Sequence, residues 1–327
     1  MKATTLNKQS GFSLVELMIS LILGIFITGG MLQLFVNSNQ SYRVQENISR
    51  LQENGRFAMD FISKDIRAAD YWGCMNNTTF IENNLNLGSV YDNFGNAIVG
   101  TNNSGLNNSD TITVAGAASS GVYVVATPAT TSANLKVTPN SPLRENDIVI
   151  VSDCTAGDIF QVTNDPTTGG AGNKDELTHN TGAVSAGPGN LDQPLQKIYD
   201  TNAQVYKLKS IAYTIAAGAN GEAALFRSSN GAATEELVEG INDMQILYGV
   251  DTNGDNSPNY YAASNTLTSA QMNQVKSVRI SLLAITQEDN LATEPLPYSI
   301  LGVTTTPTDR KIRRVYTTTI AIRNRLL

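Results

Sequence analysis

A single carboxylate interrupts the long apolar segment near the start of the chain. The segment covers residues 12–36, and Glu16 is the only charged side chain among its 25 residues. An ionised carboxylate in hydrocarbon costs on the order of 3 kcal/mol or more, so Glu16 should be either protonated or paired. The sequence therefore indicates a special role for Glu16; the alternative is an ordinary signal anchor that tolerates it.

The two cysteines, Cys74 and Cys154, are far apart in the sequence. An even number of cysteines in an exported protein indicates a disulfide, and two cysteines allow one intramolecular pairing. The bridge would close a loop of about eighty residues, worth roughly 4 kcal/mol in the chain-entropy model. Two reduced, buried thiols are the alternative. The pair is too small for a zinc site, which needs three or four ligands.

The segment Asp251-Thr252-Asn253-Gly254-Asp255-Asn256 places oxygen-bearing side chains at alternate positions. This pattern is similar to the first half of a calcium-binding loop, with Asp251, Asn253 and Asp255 as ligands. The segment departs from an EF-hand, because the sixth position is Asn256 instead of Gly and the twelfth is Ala262 instead of Glu, which argues against that motif. A shorter calcium loop that borrows Asn259 or a carbonyl remains open, beside a plain turn that needs no metal.

Residues for enzyme chemistry are scarce. The only histidine, His179, lies in a polar, Gly-rich segment, where we expect it on the solvated surface. The sequence contains no GxSxG, HExxH or phosphate-binding loop. Acidic pairs such as Glu235-Glu236 and Glu288-Asp289 are most simply solvated charge. We therefore predict that the protein is not an enzyme and requires no cofactor, calcium being the one candidate.

The charge balance argues against direct nucleic-acid binding. The formal net charge is −7, and it becomes −9 without the two lysines of residues 1–11. Phosphate binding depends on concentrated Lys and Arg. The one basic cluster, Arg310-Lys311-Ile312-Arg313-Arg314, is better explained as a solvated strand edge than as a DNA site.

The order of segments at the amino terminus differs from that of a secretory signal peptide. Residues 1–11 are polar and basic, whereas a signal peptide has its apolar stretch before the cleavage site. Residues 12–36 are long enough to cross a bilayer with some tilt. Lys2 and Lys8 precede this span and the next basic residue is Arg43, which predicts a cytoplasmic amino terminus.

A helical pattern continues beyond the membrane span, over residues 37–72. Apolar residues recur at three- and four-residue spacing, which predicts one stripe packed on a globular domain; they are Ile48, Leu51, Ala58, Ile62 and Ile66, joined by Phe57, Phe61 and Ala69. The first proline is Pro128, so nothing breaks the helix earlier. Gly24, Gly29 and Gly30 weaken its membrane half and make bending or partial melting on assembly plausible.

Residues 73–327 are predicted to form one β-rich globular domain. Two stretches rich in Asn, Thr, Ser and Gly, 75–109 and 164–195, are expected to be long loops, the second on the surface. Alternating apolar residues in the later segments fit antiparallel strands with one buried face. The expected strands are 111–114, 122–126, 147–152, 159–162, 205–215, 224–227, 244–248, 278–285 and 313–323. The fold class is α+β, with the long helix packed on antiparallel sheet.

The junction Gly11-Phe12-Ser13-Leu14-Val15-Glu16 resembles the processing site of type IV prepilins and type II secretion pseudopilins. The resemblance implies that a prepilin peptidase cleaves between Gly11 and Phe12 and methylates the new Phe12 amine. Residues 1–11 would then be a leader peptide. The predicted partner of Glu16 is the Phe12 amine of a neighbouring subunit, a pairing that would set the axial register of assembly.

Further segments resemble the PilW family of minor pilins. They are the stretches 53–60, 65–74, 151–154, 237–241, 248–251 and 313–319, which read ENGRFAMD, DIRAADYWGC, VSDC, LVEGI, YGVD and RRVYTTT. The resemblance implies a low-abundance subunit that primes pilus assembly near the tip and has no catalytic residue. The chain is also longer than a typical major pilin.

The resemblance also predicts partners and location. The partners would be the prepilin peptidase, other minor pilins, the major pilin, a tip adhesin and the inner membrane. The chain would cross that membrane once, with a periplasmic domain, and would enter an extracellular pilus. Two alternatives remain open: a type II secretion pseudopilin, and a membrane-tethered binding protein that does not polymerise. Whether the pilus serves adhesion, twitching motility or DNA uptake is not encoded in any recognisable motif.

Overall fold

The computed structural model describes residues 13–75, 78–86, 97–168, 174–182 and 185–326. Its element order is one long helix followed by sixteen strands among these residues, with a short second helix between the twelfth and thirteenth strands. The α+β prediction is confirmed: an apolar amino-terminal helix precedes a domain built mainly from antiparallel sheets.

Helix α1 spans Leu14–Ala68, 55 residues without a break. At 1.5 Å per residue its length is about 82 Å. No proline occurs in this stretch, so every interior amide can take part in the helical bonding pattern. The helix ends where Ala69 adopts an extended conformation, with φ −61° and ψ 154°. The predicted amphipathic segment 37–72 is therefore helical only as far as Ala68.

The half of α1 after the membrane span buries one stripe against the domain. The buried residues of this stripe are Asn47, Leu51, Gly55, Ala58, Ile62, Ser63 and Ile66. Their spacing of three and four residues is that of one helix face. The expected stripe is thus correct for Leu51, Ala58, Ile62, Ile66 and Ala69, whereas Ile48 is only partly buried. Phe57 and Phe61 are 49% and 40% exposed. Gly55, which the pattern did not single out, belongs to the stripe, and the Tyr316 ring lies directly over it.

Ten strands in the described residues form the larger sheet. Seven of them follow the order β1-β6-β5-β8-β3-β4-β7; in addition, β2 pairs with β3, β9 pairs with β8, and β10 pairs with β9. The only parallel pair among them is β1 with β6. The strands are β1 (Ile81–Asn83), β2 (Ile98–Thr101), β3 (Thr111–Ala126), β4 (Leu135–Val137), β5 (Ile148–Ser152), β6 (Gly157–Gln161), β7 (Glu176–Leu177), β8 (Gln204–Ala217), β9 (Ala223–Ser229) and β10 (Glu235–Glu239).

Four strands form a second, fully antiparallel sheet in the order β12-β11-β13-β16. They are β11 (Ile241–Val250), β12 (Tyr260–Ala262), β13 (Val275–Ile285) and β16 (Arg313–Ala321). A separate hairpin joins β14 (Tyr298–Ile300) to β15 (Val303–Thr305), and α2 covers Ser269–Asn273. Short 3-10 turns lie at Thr78–Phe80, Leu106–Asn108, Ser264–Thr266 and Arg323–Arg325.

The main hydrophobic core lies where α1 meets both sheets. It joins Ile62 and Ile66 of the helix to Ile211 and Tyr213 of β8 and to Ile280 of β13, among other buried residues. Burial of an aliphatic side chain of this size contributes about 1.5–3 kcal/mol. The carboxyl-terminal half of α1 is therefore an integral part of the domain.

The two segments expected to be loops contain more structure than their composition suggests. Residues 75–109 contribute β1 and β2 as well as two 3-10 turns. Residues 164–195 contribute β7 and bury several side chains, so they are not simply surface. His179, expected in solvent, is 2% exposed. Its Nδ1 lies 2.7 Å from the Gln193 carbonyl oxygen and its Nε2 3.1 Å from that of Ala133.

The disulfide predicted between Cys74 and Cys154 is present. It ties the chain just after α1 to the turn that follows β5. Cys154 has a positive φ of 70°, and its amide donates to Ser152 Oγ at 3.2 Å. The bridge therefore fixes the end of the helix to the larger sheet.

Candidate assembly site

The amino-terminal end of α1 is closed by its own first residues. Ser13 is the N-cap, and the Glu16 amide donates to Ser13 Oγ at 3.2 Å. In return, the Ser13 amide donates to Glu16 Oε2 at 3.4 Å. This reciprocal capping box satisfies two amides that have no partner within the helix. It also places the Glu16 carboxylate at the positive end of the helix dipole.

Polar groups farther along the membrane half are satisfied within the helix. Ser20 Oγ donates to the Glu16 carbonyl and Thr28 Oγ1 to the Gly24 carbonyl, each at 2.7 Å. A hydroxyl in hydrocarbon needs such a partner, because no water is available there. Gly29 and Gly24 have no atom within 4 Å of the space that a side chain would occupy. Neither glycine is required by packing among the described residues.

The apolar half of α1 stands free of the domain. An 18-residue window of this helix has a mean hydropathy of 2.1, and none of that window is buried. Leu14 is 77% exposed and Phe26 75%. An apolar surface of this length and continuity is suited to lipid or to the helices of neighbouring subunits. The segment is a membrane helix.

The first polar contacts between α1 and the domain lie immediately after the membrane span. Gln40 Nε2 donates to the Asn290 carbonyl at 3.3 Å. Arg43 donates to Glu288 Oε2 through Nε at 3.0 Å and through Nη2 at 2.6 Å. The hydrogen bond from Arg43 lowers the pKa of the Glu288 carboxyl. The acidic pair Glu288-Asp289 is thus not simple solvated charge, since Glu288 fixes the loop after β13 to the helix.

A second set of polar contacts holds the carboxyl-terminal end of α1. Tyr213 Oη of β8 donates to Asp65 Oδ2 at 2.6 Å, and Arg227 Nη2 lies 3.4 Å from the same oxygen. Beyond the helix, Arg325 forms an ion pair with Asp70, and its Nη1 donates to the Met272 carbonyl at 2.7 Å. The last residues of the chain therefore brace the end of the helix, which no motif in the sequence indicated.

The predicted processing residues, Gly11 and Phe12, lie outside the described residues. Glu16, the residue predicted to guide assembly, lies in the first turn of α1. Among the described residues, its side chain takes part in one hydrogen bond, which it accepts from the Ser13 amide. The pairing of Glu16 with a neighbouring subunit therefore stays a prediction.

The predicted calcium ligands lie together in the loop between β11 and β12. Asp251 Oδ1 accepts the amides of Asn253 at 3.2 Å and Gly254 at 2.7 Å, and its Oδ2 accepts the amide of Asn256 at 2.9 Å. The carboxyl of Asp251 loses some hydration, but these amides lower its pKa. Asp255 Oδ2 accepts from Asn253 Nδ2 at 3.0 Å.

These bonds are those of an Asp/Asn turn, and they engage all three proposed ligands. Asn259, the residue that might have completed the set, accepts from the Thr252 amide at 2.7 Å. Within the described part of the chain, no three His, Cys, Asp or Glu side chains are grouped to hold a metal ion. The calcium hypothesis gains no support from this geometry and stays a prediction.

The basic cluster at residues 310–314 is partly neutralised by its neighbours. Arg313 makes two bonds to Asp309, at 2.7 and 2.6 Å, and Lys311 lies 3.0 Å from Glu222. The Arg313 hydrogen bonds lower the pKa of Asp309 to about 2. Arg314 instead stacks on Tyr316, with 5.3 Å between the guanidinium carbon and the ring centroid. Arg313 and Arg314 begin β16. The side chains of Lys311 and Arg313 are only 14% and 9% exposed, so the expectation of a simply solvated strand edge is wrong for these two residues.

Comparison with known families matches both ends of this architecture. Residues 6–32 match the model of the prokaryotic N-terminal methylation motif, and this range contains Gly11, Phe12 and Glu16. Residues 212–324, from β8 to the last 3-10 turn, match the model of type IV pilus-assembly protein W. The chain is similar to the PilW family over this segment, which is less than half of its length. No curated protein and no solved structure matches it.

The methylation-motif match covers the start of the apolar half of α1, the half that stands free of the domain. The methylation motif implies processing by a prepilin peptidase and assembly with other pilins. Pilins are structural subunits that anchor and assemble through an apolar amino-terminal helix of this kind. The PilW match covers the second sheet, whereas the resembling segments at 53–74 and 151–154 lie outside it. The disulfide therefore belongs to the part of the chain that this family model does not cover.

Proposed function

We propose that this chain primes type IV pilus assembly, together with other minor pilins, and remains near the tip of the fibre. The observation that carries the proposal is the uncovered apolar half of α1, which begins at the Ser13–Glu16 capping box and continues into a firmly held domain. A helix of this kind needs a bilayer before assembly and neighbouring helices after it. The major pilin and a tip adhesin are the further partners proposed.

We propose the topology that the basic residues predict. Residues 1–11 are a leader on the cytoplasmic side, residues 12–36 cross the inner membrane, and the rest of the chain is periplasmic until the subunit enters the extracellular pilus. Cleavage between Gly11 and Phe12 frees the Phe12 amine, which is then methylated. Mass spectrometry of the native amino terminus should find a methylated Phe12; a mature chain that starts at Met1 would contradict the proposal.

Glu16 provides the test of assembly. The Glu16→Gln variant keeps a polar cap but loses the charge that would pair with the Phe12 amine of a neighbouring subunit. In a strain without the native copy, we expect at least about a tenfold loss of the chain from sheared pili, as for a desolvated ion pair that is broken on one side.

The matched control is Glu46→Gln, which removes a carboxylate of the same helix outside the membrane, where it pairs with Arg50 at 2.9 Å. This variant should enter pili normally, because an exposed pair contributes little. Both variants should accumulate in the membrane to the wild-type level. Normal incorporation of Glu16→Gln would refute the register-setting role.

A further inference from the structure

Strand β16 is the outermost strand of the second sheet, and its bonding pattern shows which of its amides point outward. The Ile322 amide donates to the Lys276 carbonyl at 2.9 Å, and the Thr286 amide donates to the Ile312 carbonyl at 3.0 Å. The register between β13 and β16 is unbroken between these two points. In an antiparallel ladder alternate residues bond to the partner strand, so the even-numbered residues of β16 face β13.

The odd-numbered residues of β16 therefore direct their backbone groups away from the sheet. Thr317, Thr319 and Ala321 are exposed, and their amides have no backbone acceptor among the described residues. A row of free N–H and C=O groups on a nine-residue strand is a template for another strand. Neither proline nor a bulge protects this edge.

A groove of about 880 Å³ lies beside the first half of β16, at Arg314 and Tyr316. One wall is the face of α1 from Ser49 to Arg67, and the other is formed by Arg314 and Tyr316 of β16. The helix rises about 27 Å over these residues, which is the length of a strand of about eight residues. The groove thus has the dimensions of one added strand.

The wall of the groove offers apolar contact and an unused hydrogen-bonding group. Phe57 is 49% exposed at the groove, beside the partly buried Met59. The hydroxyl oxygen of Tyr316 is buried and has no hydrogen-bond partner in the described structure. An unpaired buried hydroxyl costs free energy that a ligand at this position would recover.

The charges of the groove indicate the chemistry of its occupant. Arg56, Arg67 and Arg314 line it, and none of them forms an ion pair with the described residues. Glu53 and Asp60 lie on the same wall, which leaves an excess of one positive charge. A strand that carries carboxylates toward the three arginines would be complementary to it.

We propose that this groove receives an extended strand of a different pilus protein, which adds to the edge of β16 and directs acidic side chains at Arg56, Arg67 and Arg314. The added strand would bond to the outward backbone groups of Thr317, Thr319 and Ala321 and pack on Phe57 and Tyr316. This inference rests on the proposed function, which supplies partners from the pilus machinery.

Hydrogen exchange of the full-length chain tests the proposal directly. The chain is purified in detergent alone and in complex with the minor pilins of its host, and exchange is followed over residues 313–321. We expect the outward amides to exchange at least about tenfold more slowly in the complex, as for amides that enter a ladder. Unchanged exchange at this edge in a formed complex would overturn the inference.

Two double variants distinguish the contribution of the backbone amides to binding from that of the side chains. Thr317→Pro with Thr319→Pro removes two outward donors and leaves the bonds to β13 in place, and an edge strand tolerates such prolines. Thr317→Ala with Thr319→Ala keeps both donors. We expect the proline pair to weaken binding by about tenfold or more and the alanine pair to bind as the wild type does. Equal binding by the two pairs would contradict strand addition.

A charge reversal tests the proposal independently, should the protein with both prolines fail to fold. Arg314→Glu should weaken the same complex, whereas the control Arg323→Glu, an exposed residue outside the groove, should not. Failure of the wild-type chain to bind any minor pilin would refute the proposed function itself. A complex in which β16 stays exposed, or in which two copies of this chain join there, would refute only the present inference.

Discussion

At the scale of single residues, Asp158 is a buried carboxylate in β6. It is fully inaccessible and accepts from Tyr199 Oη at 2.5 Å and from Asn84 Nδ2 at 3.1 Å. Loss of hydration raises its pKa above 3.8, although the Tyr199 and Gln196 hydrogen bonds act in the opposite direction. The carboxyl group thus holds the segment around Tyr199 against β6. Its charged form is destabilised by the loss of hydration on burial.

The raised pKa of Asp158 predicts a pH dependence of folding. The folded chain keeps the proton of Asp158 at pH values where the unfolded chain has lost it, so this contribution is complete below pH 3.8 and is lost as the pH rises through the folded pKa. Asp158→Asn cannot titrate. The free energy of unfolding of this variant should therefore increase, relative to wild type, from pH 4 to pH 7.

Urea unfolding at several pH values, with the disulfide intact, measures this difference. Other carboxylates with raised pKa values, such as Asp110 and Asp243, are present in both proteins and cancel in the comparison. Parallel stability curves for variant and wild type would show that burial of Asp158 does not shift its pKa.

The Asp251 loop gives a second prediction at this scale. Asp251 accepts three backbone amides, so Asp251→Ala should lower the melting temperature equally in calcium and in chelator if the loop is a plain turn. If calcium binds, excess calcium at a hundred times its dissociation constant should stabilise the wild type by about 2.7 kcal/mol. The plain turn is the outcome that the geometry favours.

Thermal melts of the full chain in detergent, with calcium and with chelator, distinguish the two. Asp255→Ala is the matched control, because among the described residues the Asp255 carboxylate accepts from the exposed Asn253 side chain and the Ser257 amide alone. A calcium-dependent shift that disappears in both variants would establish the metal site. A shift that survives in both would place any bound calcium elsewhere.

At the scale of elements, helix α1 contacts β16 at Gly55. A side-chain carbon on Gly55 would overlap the ring of Tyr316. Gly55→Ala should therefore destabilise the domain by about 1–3 kcal/mol, the usual cost of overpacking. Chemical unfolding checks this expectation.

Two further variants make the Gly55 experiment specific. Gly24→Ala lies in the same helix where no atom is within 4 Å, so it should leave the stability of the domain unchanged. Combining Gly55→Ala with Tyr316→Leu should cost less than the sum of the two single changes, since the clash is gone. Strict additivity would mean that the two residues are not in contact.

Sequence reasoning found the elements whose patterns are regular and missed those that depend on distant contacts. The period of the helix and the alternation of β13 and β16 predicted those elements closely. Phe57 and Phe61 are apolar but exposed, because at 3.6 residues per turn they lie roughly 130° and 90° around the helix from the buried stripe. Grouping apolar residues by type alone thus placed two residues on the wrong side of the helix.

The polar sites show the same limit. Composition suggested solvent for His179, yet carbonyl oxygens of two distant segments surround its ring. The brace that Arg325 provides to Asp70 joins residues 255 positions apart, and no local signal could reveal it. By contrast, the disulfide was predictable, because a chain with two cysteines allows one intramolecular pairing.

At the scale of the whole molecule, the first half of α1 is apolar and uncovered, and the second half of the same helix packs on the domain. The first described contacts between α1 and the domain are those of Gln40 and Arg43. Removal of residues 1–36 should thus take away the membrane segment and no part of the core. We expect the shortened chain, beginning at Asn37, to be soluble and to melt within a few degrees of the intact protein.

Circular dichroism of the shortened chain without detergent, against the intact chain in detergent, measures this. The matched control is a deeper truncation that begins at Asn54, which removes Gln40, Arg43 and the buried Leu51. It should melt at a clearly lower temperature. Aggregation of the shorter truncation would show that the apolar half of α1 contributes to folding.

The unbroken course of α1 has a mechanical consequence. Tension applied to the membrane half runs along the helix axis and reaches the domain through contacts spread from Gln40 to Asp70. Contacts loaded in this direction must slide together and cannot be peeled off one by one. The disulfide then passes the load from the end of the helix to β5. Such a subunit would transmit a pull along the fibre without first losing its fold.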